Sequence, residues 1–200
     1  MTANTLFIFT KPNRIGLSKT RLGKDIGWSA AQRVNAMTCA KVFREVSDPR
    51  WVSILSVAPD QMLSSSAPFW PPHLPRMPQG GGSLGDRLAR AYHNAPMGNV
   101  LFLGTDMPDV TRRDIHLACE ALKSHEAVFG PADDGGFWIL GLRKRTGLQP
   151  PFQKVRWSSE HAMADVCRNL EPARIARLRE AIDLDDGEAL VKWRASRKSA

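Results

Sequence analysis

Apolar residues fall into short unbroken runs, separated by longer stretches in which they recur every three or four positions. The runs are Leu6–Phe9 (LFIF), Trp51–Val57 (WVSILSV), Val100–Gly104 (VLFLG), Ala127–Pro131 (AVFGP) and Phe137–Leu142 (FWILGL). They are short and mostly continuous in hydrophobicity, as strands buried on both faces are. Between them, Ala30, Val34, Met37, Ala40 and Val46 follow Ser29 at mostly helical spacing, and Ser29 is the expected cap. The segment SLGDRLARAYHNA (83–95) predicts an amphipathic helix. Thr111 and Asp114 have the spacing of a capping box and lead a helix to about Leu122. Ser158 or Ser159 can cap a helix that carries Met163 and Val166, and Asp186 can cap a last helix through Trp193.

Strands alternating with helices predict a single-domain α/β fold, with a mixed, mostly parallel central sheet covered by helices on both faces. Ligands of such sheets collect outside the carboxyl ends of the strands. The loops after Phe9, after Gly104 and around Asp133 are therefore the ones to inspect.

A chain of 200 residues suits one domain and can bury roughly 70% of its unfolded surface. The domain is expected over residues 1–195, with a short basic tail at 196–200. Proline, serine and glycine crowd residues 64–83 and predict one long irregular segment. The formal net charge of +8 suits an anionic partner, but no nucleic-acid-binding motif accompanies it, so free nucleic acid is not expected. Cys39, Cys119 and Cys167 are scattered, with neither paired-cysteine nor zinc spacing, and are expected as buried thiols of a reducing compartment. No run approaches the ~18 apolar residues a membrane span needs. A cytoplasmic location away from the membrane is the expectation, with a homodimer left open.

Three stretches carry candidate chemistry. TKPNRIGLSKTRL places Lys11, Arg14, Lys19 and Arg21 around Gly16 just beyond the first strand. Several cations on a flexible backbone suit a polyphosphate, although the order matches neither a P-loop nor a dinucleotide fingerprint, and a solvated basic loop is the alternative. LFLGTDMPDVT puts Asp106 directly after a strand, where a carboxylate can hold a divalent cation or accept loop amides. AIDLDDGEAL offers Asp183 and Asp185 on one side of an extended segment, able to complete a metal site with Asp106 or to serve as helix-terminal charges. QGGGSLGDR, with Gln79, Gly85 and Arg87, can approach a base or phosphate closely or act as a flexible connection. Phe137 and Trp138 suit sheet packing. Asp133, Asp134, Gly135 and Gly136 can form a tight turn or a loop that faces substrate.

Taken in order, FIFTKPNRIGLSKTRLG, QGGGSLGDRLARA, FLGTDMPDVT, GPADDGGFWILGL, RWSSEHAMADV and AIDLDDGEAL resemble the successive motifs of a bacterial family of GT-A-fold nucleotide-diphospho-sugar transferases. Some members are labelled glycosyltransferases of arsenosugar biosynthesis. The resemblance spans nearly the whole chain. The opening loop is also similar to that of 2-phospho-lactate guanylyltransferase, a nucleotidyltransferase of the same broad fold. By that similarity Lys11, Lys19 and Arg21 would contact nucleotide phosphates and Asp106 would hold the metal, Mg²⁺ or Mn²⁺. The family's tail pattern D-x-D-T-P-E-D-L keeps Asp183 and Asp185 here, whereas Asp186 and Gly187 replace Thr-Pro. Within the opening motif, Asn13, Arg14 and Ile15 replace the usual small residues and proline.

The resemblance implies a metal-dependent enzyme that uses a nucleotide and a small-molecule acceptor. Lys19, Arg21 and Asp106 are the expected catalytic residues, and Lys11, Arg14, Gly16, Gln79, Gly85 and Arg87 the further nucleotide contacts. One expectation is nucleotidyl transfer from an NTP to an acidic or phosphorylated acceptor. Another is sugar transfer from an NDP-sugar, in which Asp133 or Asp134 orients the sugar or acts as a base. A non-catalytic nucleotide-binding protein is the third.

Overall fold

The computed structural model describes residues 3–64 and 69–197. The apolar run at the start forms β1 (Asn4–Thr10), whose successive side chains enter opposite layers. Leu6 and Ile8 join a cluster with Cys39, Val42, Ile115 and Ala118, while Phe7 joins another with Leu88, Ala91, Tyr92 and Val166. The first layer is supplied by helices α2 (Trp28–Glu45) and α4 (Arg112–Ala121), the second by α3 (Leu84–Asn94) and α5 (Ala162–Asn169). A strand with helices on both sides has no solvent face, which is why its sequence does not alternate.

β1 pairs in parallel with β2 (Val52–Val57) on one side and β4 (Gly98–Gly104) on the other. β3 (Arg76–Pro78) lies outside β2, β6 (Phe137–Lys144) runs antiparallel beside β4, β5 (Ala127–Pro131) follows β6, and β7 (Ile175–Arg177) closes the far edge. The order is β3-β2-β1-β4-β6-β5-β7. Successive connections leave β1 in opposite directions, so a crevice opens at the carboxyl ends of β1 and β4. Because β5 is antiparallel to β6, and β6 to β4, the hairpin loop 132–136 reaches that same end. Beyond β7, Ala181 bridges Ala132 in parallel and carries the chain to the crevice. α6 (Gly187–Ser196) then packs with α1 (Thr20–Ile26) and α2 around Leu22, Ala31, Leu184, Leu190 and Trp193.

The expected strands all form, and two short edge strands, β3 and β7, join them. Thr111 and Asp114 make the capping box foreseen for α4, Ser83 and Asp86 make another on α3, and Asp186 accepts from Ala189 N at 2.9 Å. Other caps differ from expectation. α2 starts at Trp28 behind Gly27, whose φ of 85° ends α1, so Ser29 is already inside the helix. α5 starts behind His161 without a side-chain cap; Ser159 Oγ instead donates to Arg156 O at 2.7 Å and accepts from His161 N. On α2 the sheet-facing positions are Asn35, Thr38, Cys39 and Val42, whereas Val34 and Met37 face the cluster around Trp193. β3 interrupts the irregular region 64–83, of which residues 65–68 lie outside the described part, as do 198–200 of the expected tail. Cys39 and Cys119 are buried free thiols and Cys167 is half-buried. No helix among the described residues is long and apolar enough to cross a membrane.

One wall of the crevice, the loop with Trp157 and Ser158, is anchored by Asp165 of α5. Asp165 accepts from Arg156 Nε and Nη2, each at 2.8 Å, from Arg156 N at 3.0 Å, and from Arg168 Nη1 at 2.9 Å. The Arg156 bonds hold this carboxyl well below its usual value of 3.8, against the effect of burial. A lowered folded-state pKa means the stabilisation is complete above 3.8 and is lost as pH falls through the folded value. Asp165→Asn is therefore expected to lower the melting temperature at pH 7, with a gap to the parent that narrows only when thermal melts are repeated below pH 3.8.

Candidate active site

The crevice is a cleft of about 750 Å³. Its floor is Thr10 at the end of β1 and Gly104, Thr105 and Asp106 after β4, and one side is the loop from Lys11 to Arg21. That loop is fastened to α2: Asn35 Nδ2 donates to Asn13 Oδ1 at 2.9 Å and Gln32 Nε2 to Asn13 O at 3.0 Å. The two polar residues on the buried face of α2 thus have distinct tasks; Asn35 lines the cleft, and Thr38 bonds back to Val34 O.

Lys19 is the charged centre. Its side chain is 1% exposed and its ammonium forms an ion pair with Asp106 Oδ1, while Asp106 itself is 42% exposed. Lys19 precedes α1 in the left-handed region, φ 52°, a conformation costly for a side-chain-bearing residue. Burial pushes its pKa down, yet Asp106, with Asp183 and Asp185 behind it, more than offsets this and raises it. Arg21 is exposed and meets Asp185 Oδ2 at 3.2 Å.

The carboxylates are brought together by backbone, not by sequence proximity. Leu184 N donates to Asp106 O at 3.2 Å, Leu22 N to Asp185 O at 3.0 Å, and Asp183 N to Asp133 Oδ1 at 3.3 Å. The extended segment 181–186 is thereby laid across β4, α1 and the hairpin loop. Asp183 is largely buried and its Oδ1 has no hydrogen-bond partner. Burial, then Asp106, with lesser push from Asp185 and Asp134, raises its pKa to about 7 against the pull of Lys19. A buried carboxylate oxygen without a donor suits a cation. Among the described residues no set of three or more His, Cys, Asp or Glu side chains is arranged to hold a metal. Mg²⁺ characteristically takes only one or two protein carboxylates and completes its shell with water and substrate phosphate. Asp106 and Asp183, with Asp185 beside them, fit that requirement.

Of the other expected contacts, Lys11, Gly16, Gln79 and Arg87 line the cleft with Lys19, Arg21, Asp106 and Asp185. Arg14 is exposed and is not on its wall. Gly85 is on the buried side of α3, where a Cβ would come within 2.7 Å of Trp157 Nε1, and it lines a separate recess. The hairpin loop stands behind the carboxylates, off the cleft surface. Asp133 pairs with Lys192, and Asp134 Oδ1 accepts from Gly136 N at 2.9 Å. Gly135, φ 84°, gives its space to the chain itself, since a Cβ there would lie 2.4 Å from Glu160 O. Asn35, Thr105 and Ser158 line the cleft without having been foreseen, and Phe137 and Trp138, for which sheet packing was favoured over a stacking platform, line it too. Asn35 had a readable signal, a polar residue at helical spacing among apolar ones.

A family model matches residues 39–159, more than half of the chain. The chain belongs to DUF2064, an uncharacterized protein family conserved in bacteria. A relative of this member from Phenylobacterium zucineum (strain HLK1), named 3-phospho-D-glycerate guanylyltransferase, is 29% identical over 106 residues, which is 52% of the chain and 48% of the relative. The match thus spans about half the length of that relative. A solved structure from Desulfovibrio desulfuricans G20, assigned as a nucleotide-diphospho-sugar transferase, superposes with a TM-score of 0.82 at 22% identity, over 100% of this chain and 90% of that one. Rv0371C of Mycobacterium tuberculosis H37Rv, crystallised with manganese, superposes at 0.53 with 15% identity, over 96% and 97% of the two chains. The expected nucleotide-diphospho-sugar transferase fold is the fold observed.

Replacing Asp106 by Asn would leave the Lys19 ammonium buried without its full counter-charge. Because Asp106 is partly exposed, Asp106→Asn is expected to cost on the order of 1–3 kcal/mol, less than a fully buried pair would. Urea unfolding of the two proteins measures it, and an unchanged midpoint would show that the pair contributes nothing.

Proposed function

We propose that the protein transfers a nucleotidyl group from an NTP to a small acidic or phosphorylated acceptor. The observation that carries this reading is the buried Lys19 held between Asp106 and the segment with Asp183 and Asp185, at the mouth of a cationic loop. A triphosphate needs several cations. Lys11, Lys19 and Arg21 supply them on one side of the cleft, and the guanylyltransferase name of the Phenylobacterium relative points the same way.

In this reaction an acceptor oxygen attacks the α-phosphorus, the bond from that phosphorus to the bridging oxygen breaks, and pyrophosphate leaves with the electron pair. A phosphate or carboxylate acceptor already carries a negative oxygen, so no base is required. Catalysis then consists of alignment and stabilisation of spreading charge. Asp106 and Asp183, with Asp185, would hold a divalent cation, a role supported by the manganese in the Mycobacterium structure. The cation would neutralise phosphate charge. Lys19, paired with Asp106, would donate to a phosphate oxygen, and Arg21, paired with Asp185, would meet the leaving pyrophosphate.

A second reading, sugar transfer from an NDP-sugar, is favoured by the assignment of the Desulfovibrio structure. The hairpin acids lend it less support, because they stand off the cleft surface, Asp133 held by Lys192 and Asp183 N and Asp134 by Gly136 N. Pyrophosphate release from the four NTPs with Mg²⁺ and a panel of phosphorylated and carboxylic acceptors separates the two. Nucleotidyl transfer gives acceptor-dependent pyrophosphate, and Lys19→Met or Asp106→Asn lowers kcat about 10²–10³-fold in protein that remains folded by circular dichroism. Sugar-nucleotide turnover without any pyrophosphate release would replace the first reading with the second.

A further inference from the structure

Gln79 and Arg87 line the cleft on its β2 side, and their hydrogen bonds give them different tasks. Gln79 is 5% exposed. Its Nε2 donates to Ser56 O at 2.8 Å and Thr10 O at 3.5 Å, so its Oε1 is turned to Arg87 Nη1 at 3.3 Å. The amide is consumed by the protein and positions the guanidinium. Arg87 Nε donates to Gly82 O at 3.2 Å. Two of the five N–H groups of the guanidinium are thus engaged. No carboxylate forms an ion pair with Arg87 among the described residues, and the side chain lines the cleft.

The surroundings have few acceptors to offer. The carbonyl oxygens of Gln79 and Gly81 are held by Arg90 and that of Gly82 by Arg87. Asp86 is engaged by Ser83 N and Oγ. Gln79 N donates to Val57 O at the end of β2, two strands from β4 and Asp106. Two inter-strand spacings are roughly 10 Å, and the wall between includes Phe9, Leu88 and Phe102. A nucleotide whose phosphates meet Lys19 would extend its base to this end.

We propose that Arg87 is the base-reading residue, positioned by Gln79, and that it selects guanine over adenine. The inference rests on the nucleotide-binding reading of the cleft and holds for GTP or for a GDP-sugar. A guanidinium has donors only. Guanine presents two adjacent acceptors, O6 and N7, to such a fork, whereas adenine offers N7 beside an amino donor, so the fork separates the two purines. An amino group placed here meets the N–H groups of Arg87 and finds the neighbouring carbonyls engaged.

Titration calorimetry of the full chain with Mg²⁺ and each of GTP, ITP, 7-deaza-GTP, ATP, CTP and UTP tests the assignment. GTP and ITP, which share O6 and N7, are expected to bind alike and about tenfold or more tighter than ATP. 7-Deaza-GTP, lacking N7, is expected to lose most of the advantage, and Arg87→Lys to lower GTP affinity far more than ATP affinity. Equal affinity for GTP and ATP would overturn guanine selection and leave the transferase reading standing. Uniform weakening of every nucleotide by Arg87→Lys would also overturn it, as a phosphate contact. Absence of binding by any NTP or GDP-sugar would remove both readings together.

Discussion

A buried ammonium is the constraint around which the cleft of this protein is arranged. Lys19 gives up water completely, and in a medium of low polarity an unpaired cation there would be costly. Asp106 compensates it directly, with Asp183 and Asp185 adding their fields. Each of these carboxylates comes from a different part of the fold from Lys19, namely the end of β4 and the segment before α6. The demand of one charge for counter-charge therefore ties the first loop, the central sheet and the last segment to a common point. Burial, and then the neighbouring Asp106, outweigh the pull of Lys19 on Asp183 and raise its pKa to about 7.

The cleft is chemically divided by the order of its strands. Cations and carboxylates collect beside β1 and β4, while the amide of Gln79 and the guanidinium of Arg87 lie toward β2. The division arises because β1 is flanked by parallel strands on both sides, so loops from two directions of winding meet above it.

The strong strands were legible in the sequence because burial on both faces leaves an unbroken apolar run, as in Leu6–Phe9 and Val100–Leu103. β3 and β7, three residues each, carry no such signal, and neither does α1, where Leu22 and Gly23 are the buried positions within a cationic stretch. Cap chemistry was legible where a side chain does the capping, as with Thr111 and Asp186, and not where glycine geometry does it, as with Gly27. The glycines of the hairpin loop show the limit most plainly. Their need for space was visible, but what fills the space of Gly135 is the backbone of Glu160, a contact between segments far apart in sequence. Likewise, that Asp106 and Asp183 converge depends on the bridge between Ala132 and Ala181, which no local pattern encodes.

That bridge gives the chain a direction in time. As the polypeptide leaves the ribosome, β1 to β6 and their covering helices can form a sheet with most of its apolar surface buried before residues 181–186 appear, since domains condense from the N-terminal side during synthesis. At that stage Lys19 has Asp106 alone, and the loop that holds it lacks the bond from Leu22 to Asp185. The last strip of backbone is then what seats the two remaining carboxylates. A nascent protein could acquire its overall shape early and its chemistry only at the end.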